Sequence, residues 1–132
     1  VTTIFNPHFA DGMSSSLRAG ILALADDVDA ILIALGDMPA ITADHIHRLI
    51  AGFDPVEGRS IVVATNGLKR GNPVLFASRF RPELIRIQGD TGARHLIGDH
   101  RDEVVEVDLG PGAMIDLDTP EALAAYRARH DP

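Results

Sequence analysis

Two short acidic motifs carry the most chemistry on offer in this sequence. The first, Gly36-Asp37-Met38-Pro39, directly follows the continuously apolar run Ala30-Ile31-Leu32-Ile33-Ala34-Leu35. A carboxylate at the carboxyl end of a buried strand can hold Mg²⁺, a hard cation that takes oxygens from one or two carboxylates together with substrate phosphates. Gly36 lets the backbone approach a ligand, and Pro39 stiffens the exit. A plain strand-to-loop turn, with Asp37 capping its own backbone, is the other reading of the same residues. The second motif, Asp116-Leu117-Asp118-Thr119-Pro120, follows the apolar stretch Ala113-Met114-Ile115. Asp118 suits a cap for the helix that opens there, so Asp116 is the better candidate for a second metal ligand beside Asp37.

Three further motifs suit a polar or anionic ligand. Gly12-Met13-Ser14-Ser15-Ser16-Leu17 sets three hydroxyls and free backbone amides at a helix N-terminus, where an anion is favoured and one serine suffices as a cap. Gly89-Asp90-Thr91-Gly92-Ala93-Arg94 places glycines before a short helix, with a guanidinium suited to bidentate contact with phosphate. Gly71-Asn72-Pro73 can present a side-chain amide to a heterocycle, and a turn before a strand explains it equally well. The histidines at positions 8, 45, 47, 95, 100 and 130 show no paired spacing with carboxylates of the kind that marks a zinc site, and read as surface residues. There is no Cys and no Gly-x-Ser-x-Gly elbow, which removes disulfides and thiolate catalysis and leaves a hydrolase nucleophile without support.

The elements that must position these motifs alternate between strand and helix, the pattern of crossovers and a mainly parallel sheet in an α/β fold. Residues 1–5 read as a short edge strand closed by Asn6-Pro7. Residues 14–25 have Leu17, Ile21, Leu24 and Ala25 at helical spacing. The run 30–35 is a strand covered on both faces. Thr42 caps a helix whose apolar face is Ile46, Leu49, Ile50 and Phe53, ended by Gly52 and Pro55. Strands are predicted at 61–64 and 73–76, separated by the turn-rich 65–71, then helices at 82–87 and 93–97 and an alternating strand at 104–107. A last helix opens at Thr119-Pro120-Glu121.

Composition bounds the function. The 132 residues are 45% apolar and 23% charged, which suits one soluble domain spanning 1–132 with a continuous core. Nineteen acidic against twelve basic side chains give a net charge of −7, which argues against a nucleic-acid partner. No apolar run approaches ~18 residues, so no membrane span is expected. The lack of Cys fits a reducing, cytoplasmic setting.

Taken in order, Asn6-Pro7, Gly12 to Leu17, Leu35-Gly36-Asp37-Met38-Pro39, Gly71-Asn72-Pro73-Val74-Leu75-Phe76, Gly89 to Arg94 and Asp116 to Pro120 resemble the molybdenum cofactor cytidylyltransferases and their MobA-like relatives. The resemblance implies a Rossmann-like, three-layer nucleotidyltransferase fold that joins a nucleoside triphosphate to molybdopterin, with Mg²⁺ and release of pyrophosphate. It implies Asp37 as principal metal ligand and Asp116 as the second, the two forming the catalytic centre. Ser14, Ser15 and Ser16 would face the nucleotide, while Asn72, Pro73, Asp90, Gly92 and Arg94 would line the pterin side. CTP is expected ahead of GTP, because the serine-rich turn looks more like the cytidylyl branch.

Members of that family open with a strand and a glycine-rich loop of the type Leu-Ala-Ala-Gly-x-Ser-x-Arg-Met-Gly, and no such segment precedes Val1. The chain therefore reads as the C-terminal part of such a domain. Without that strand, neighbouring backbone and apolar faces are exposed, so the expectation is either a homo-oligomer that covers the gap or a longer parent protein. Two other functions stay open: a non-catalytic pterin- or partner-binding domain, and a nucleotidyltransferase for another phosphorylated acceptor.

Overall fold

A computed structural model describes residues 3–7, 13–34, 38, 40–87 and 93–111. Their order is α1 (Met13–Leu22), β1 (Ala30–Ile33), α2 (Ala43–Gly52), β2 (Ile61–Asn66), β3 (Lys69–Ala77), α3 (Arg81–Ile85), α4 (Arg94–Asp99) and β4 (Val104–Asp108), with short 3₁₀ turns at Pro55–Glu57, Ser78–Phe80 and Arg101–Glu103. The four strands form one sheet in the order β1-β3-β2-β4. β1, β2 and β4 run the same way, and β3 runs against them, so β1–β3 and β3–β2 are antiparallel and only β2–β4 is parallel. The sheet is thus mixed, with three of its four described strands parallel in direction.

β3 runs backwards because no helix separates it from β2. The two are joined by Gly67-Leu68, and a two-residue connection permits only a hairpin. Gly67 takes φ of 63° while Leu68 keeps a negative φ, the combination of a type II′ turn, which demands glycine first. β3 accordingly begins at Lys69, four residues before the predicted start at Pro73.

Helices cover both faces, giving the three layers expected. On one face Ile61, Val63 and Phe76 pack with Ile21 of α1, Leu84 of α3 and Leu96 of α4. On the other, Val62, Ala64 and Leu75 meet Leu49 of α2. The alternation follows the period of two along β2, whose residues from Ile61 to Thr65 are all buried. Thr42 caps α2 by accepting from the His45 backbone N–H at 3.2 Å, and His45 Nδ1 accepts from the Thr42 N–H at 3.1 Å, a reciprocal box with histidine in the usual place of Glu or Gln. Residues 3–7 carry no strand; the expected strand at 1–5 extends partly outside the described residues, and the helix opening at Thr119 lies wholly outside them. Among the described residues no helix is long and apolar enough to cross a membrane.

Arg81 ties α1 to α3. Its side chain, 18% exposed, donates from Nη1 to the Ala25 carbonyl and from Nη2 to the Ile21 and Leu24 carbonyls, all at 2.9 Å. One planar guanidinium thereby gathers carbonyls at and just beyond the end of a helix, that of Ile21 also accepting from the Leu24 N–H at 3.1 Å. Arg81→Ala is expected to lower stability by about 1–2 kcal/mol, because three charge-assisted bonds, one part-buried and two exposed, are lost together. The fall in the urea midpoint measures it, and Arg81→Lys should recover only part, since an ammonium cannot span three acceptors.

Candidate functional site

A cleft of about 910 Å³ opens between α1 and α4 over the sheet face formed by β1 and β3. Its floor is apolar, with Leu17, Ile21, Ile31, Val63 and Phe76, and its polar groups include Ser16, Arg70, Asn72 and Arg94. The polar end coincides with the carboxyl end of β1, since Ile33 pairs with Val74 and the chain beyond Val74 toward Arg70 runs past the end of that strand. Ligands of open α/β sheets collect at this edge.

Ser16 belongs to the first turn of α1, where the Asn6 amide donates to Ser15 Oγ at 2.9 Å and to Ser16 Oγ at 3.1 Å. Asn6 therefore fixes the approach to the helix. Ser14 and Ser15 are buried at 4% and 8% exposure, whereas Ser16 is exposed and lines the cleft. Arg18, one turn on, donates to the Ile85 and Ile87 carbonyls at 2.9 and 3.2 Å and so holds α1 against the end of α3.

Asn72 arrives by a different device. Between the pairs Val63↔Val74 and Thr65↔Arg70 the register shifts, so that one residue of β2, Ala64, stands against three of β3, Gly71, Asn72 and Pro73. A bulge of this kind re-aims side chains and is common beside active sites. It also accommodates Pro73: lacking an N–H, it falls where β1 has ended and the β2 ladder is interrupted. Pro73 is buried, and the Asn72–Pro73 peptide is cis. The expected turn at 71–73 is therefore a strand bulge, with Asn72 on the cleft wall.

Arg94, the first residue of α4, is exposed and also lines the cleft. Ser16, Asn72 and Arg94, drawn from three separate motifs, thus meet in one cavity. The remaining candidates, Asp37, Asp90, Gly92 and Asp116, lie outside the described residues. Among the described residues no group of three or more His, Asp or Glu side chains could hold a metal. Residues not singled out from the sequence also contribute. Arg70 lines the cleft, and its Nε donates across β2 to Glu106 Oε2 at 3.3 Å.

The end of the sheet away from this polar group is held by a different polar cluster. Ser60 Oγ donates to Glu103 Oε1 at 3.2 Å, Arg79 donates to both, and His100 sits between Glu83 at 3.2 Å and Glu103 at 3.5 Å, with its ring edge-on to Phe80. Of the other described histidines, His47 and His95 are exposed.

The model of the MobA-like NTP transferase domain matches residues 1–104. The chain is 26% identical over 132 residues to the molybdenum cofactor cytidylyltransferase of Escherichia coli (strain K12), covering 98% of this chain and 64% of that protein. It is 29% identical over 120 residues to the purine catabolism protein PucB of Bacillus subtilis (strain 168), covering 83% of this chain and 53% of that one. The chain therefore spans less than two thirds of either curated relative. The crystal structure of a homolog of Mycobacterium tuberculosis rv0371c from Mycobacterium sp. strain JC1 superposes with a TM-score of 0.73 at 28% identity, over 88% of this chain and 57% of that one. Rv0371c of M. tuberculosis H37Rv in complex with manganese gives 0.69 at 25% identity, over 83% of this chain and 57% of that one. The matched model spans residues 1–104 and the fold agrees with these structures, so the chain belongs to the family of MobA-like NTP transferase domains.

Proposed function

We propose that this chain forms the acceptor-side part of a cytoplasmic, Mg²⁺-dependent nucleotidyltransferase that joins CMP, from CTP, to molybdopterin and releases pyrophosphate. The observation that carries this reading is the convergence of Ser16, Asn72 and Arg94 on one cleft at the carboxyl end of β1. A phosphate oxygen of the acceptor attacks the α-phosphorus of the nucleotide, the bond to the β-phosphate breaks, and pyrophosphate leaves with the electron pair. The attacking oxygen is already ionised at neutral pH, so no strong base is needed and catalysis rests on positioning and charge neutralisation. A site without a Ser/His/Asp triad or a Cys nucleophile suits that chemistry.

In this reading Ser16 addresses the nucleotide, with Ser14 and Ser15 buried behind it in the first turn of α1, and Asn72, Asp90, Gly92 and Arg94 address the pterin, with Pro73 buried beside Asn72. Asp37 and Asp116 would hold Mg²⁺, carboxylate oxygens being donors that match a hard cation. Ala34, three residues before Asp37 in the sequence, lines the cleft. When bound, Mg²⁺ supplies neutralisation of charge on the phosphates. Asn72 offers both a donor and an acceptor to a heterocycle edge, and the apolar floor excludes water beneath it.

Similarity to PucB, a protein named for purine catabolism, favours keeping a second reading beside the first, a nucleotidyltransferase for an acceptor other than molybdopterin. Isothermal titration of the chain with CTP, GTP and ATP in the presence of Mg²⁺ tests the nucleotide half. The expected result is saturable heat with CTP and weaker heat with GTP. No heat with any of the three would overturn the transferase reading for this chain in favour of a pterin- or partner-binding module.

A further inference from the structure

The cleft carries charge of one sign. Arg70 and Arg94 line it and no carboxylate does so among the described residues, although the whole chain has nineteen acidic and twelve basic side chains. In a protein of net charge −7, two guanidiniums on the wall of one cleft, only one of them paired with a carboxylate (Arg70 with Glu106), mark a place for an anion. Arg94 makes no ion pair or hydrogen bond among the described residues.

Arg70 differs in being held. It lies on β3, one residue before the bulge, and reaches over β2 to Glu106 on β4, which accepts from Nε at 3.3 Å. Glu106 is paired in register with Val63, whose side chain lies on the cleft face, so the ion pair lies along that face. A guanidinium presents two forked edges. Glu106 occupies Nε, and the edge formed by Nη1 and Nη2 has no partner among the described residues. The ion pair thus limits the rotamers of a long side chain without consuming the edge that a tetrahedral oxyanion would take.

We propose that Arg70 is the second guanidinium of an oxyanion subsite shared with Arg94, and that this subsite takes the phosphate monoester of the acceptor. The proposal rests on the reading of the cleft as the acceptor side of a nucleotidyltransferase. Two cations favour the dianion of a monoester, whose second ionisation otherwise falls near about pH 6, and the dianion is the form that attacks. Two phosphate oxygens bound by Arg70 and Arg94 leave the third free as nucleophile. Asn72 stands on the same wall for the remainder of the molecule.

The test is titration of the full chain with inorganic phosphate and, separately, with phenyl phosphate, followed by calorimetry at low salt. Saturable binding is expected for both, tighter for the monoester because its ring meets the apolar floor. Arg70→Ala and Arg94→Ala each weaken phosphate by about tenfold, the effect of losing one charge-assisted contact. Arg70→Lys is intermediate, keeping the charge and losing the fork, and Arg59→Ala, an exposed arginine outside the cleft, leaves binding unchanged. An unaltered urea midpoint separates these effects from misfolding. No saturable binding by the wild-type chain, or equal affinity in Arg70→Ala, overturns the proposal. The CTP titration is read independently: nucleotide binding with an indifferent Arg70 refutes the subsite alone, while phosphate binding that depends on Arg70 without nucleotide binding refutes the transferase reading alone.

Discussion

Asp37→Ala is expected to silence nucleotide binding, raising the apparent Kd for CTP with Mg²⁺ at least about hundredfold, because a metal ion contributes several kcal/mol of charge stabilisation on phosphates and the proposed centre takes one of its ligands from this residue. A carboxylate alone would repel a triphosphate; it helps only through a cation between them. Two controls follow. Chelating the metal should bring the wild-type chain down to the level of the variant, and should leave the variant where it was. Asp37→Asn, which keeps the shape and loses the charge, should behave like the alanine. If Asp37→Ala binds CTP with undiminished heat and remains sensitive to chelation, the metal is held elsewhere and the proposed centre is wrong.

Phe76→Ala is expected to destabilise the fold by about 3–5 kcal/mol, the range for deleting a buried ring. Phe76 is fully buried on β3, paired in register with Ile31 of β1 and Ile61 of β2, and its ring meets Phe80 edge-on with centroids 6.4 Å apart. Helices α1, α3 and α4 all send buried side chains into the same cluster, so the vacated space cannot be closed by moving one element. Against a total stability of about 5–15 kcal/mol for a typical domain, such a loss leaves little margin at 37 °C. Urea unfolding should show a lower midpoint at unchanged slope, and Phe76→Leu a smaller fall. A loss below about 1 kcal/mol would mean that this cluster repacks freely, against the usual behaviour of close-packed cores.

Much of this was legible from residue types. Residues 30–33 of the apolar run expected at 30–35 form β1, Thr42 caps α2, and Leu49 lies on the buried face of that helix, fully hidden. These are local signals, set by periodicity and by the donors a helix start leaves open. The direction of β3 was not read from the strand-and-helix alternation, although Asn66-Gly67 between two extended segments is the pattern of a hairpin. Lys69 and Arg70 look like loop residues by type, and they belong to a strand because β2 supplies partners for them, which is tertiary information.

The site divides along the same line. Ser16, Asn72 and Arg94 could be singled out by the chemistry of their own motifs. Arg70 could not, because its role depends on a shift in register between two strands and on a glutamate 36 residues further along. Ser14 and Ser15 look identical to Ser16 in sequence, and only the packing of α1 decides that the first two are buried and the third faces the cavity. Asp37, Asp90, Gly92 and Asp116 lie outside the described residues, and their roles rest on the reading proposed above.

The Gly67-Leu68 hairpin also bears on how the chain reaches its fold. The β2–β3 pairing closes a loop of two residues, whereas β1 must find β3, and β4 must find β2, across some forty residues of intervening chain. Loop-closure entropy rises with separation, so the hairpin is the pairing that can form earliest and persist long enough for the others to add. It lies at the centre of the sheet and already contains Phe76, Val63 and Val62, so the pairing favoured to form first carries residues of both core layers.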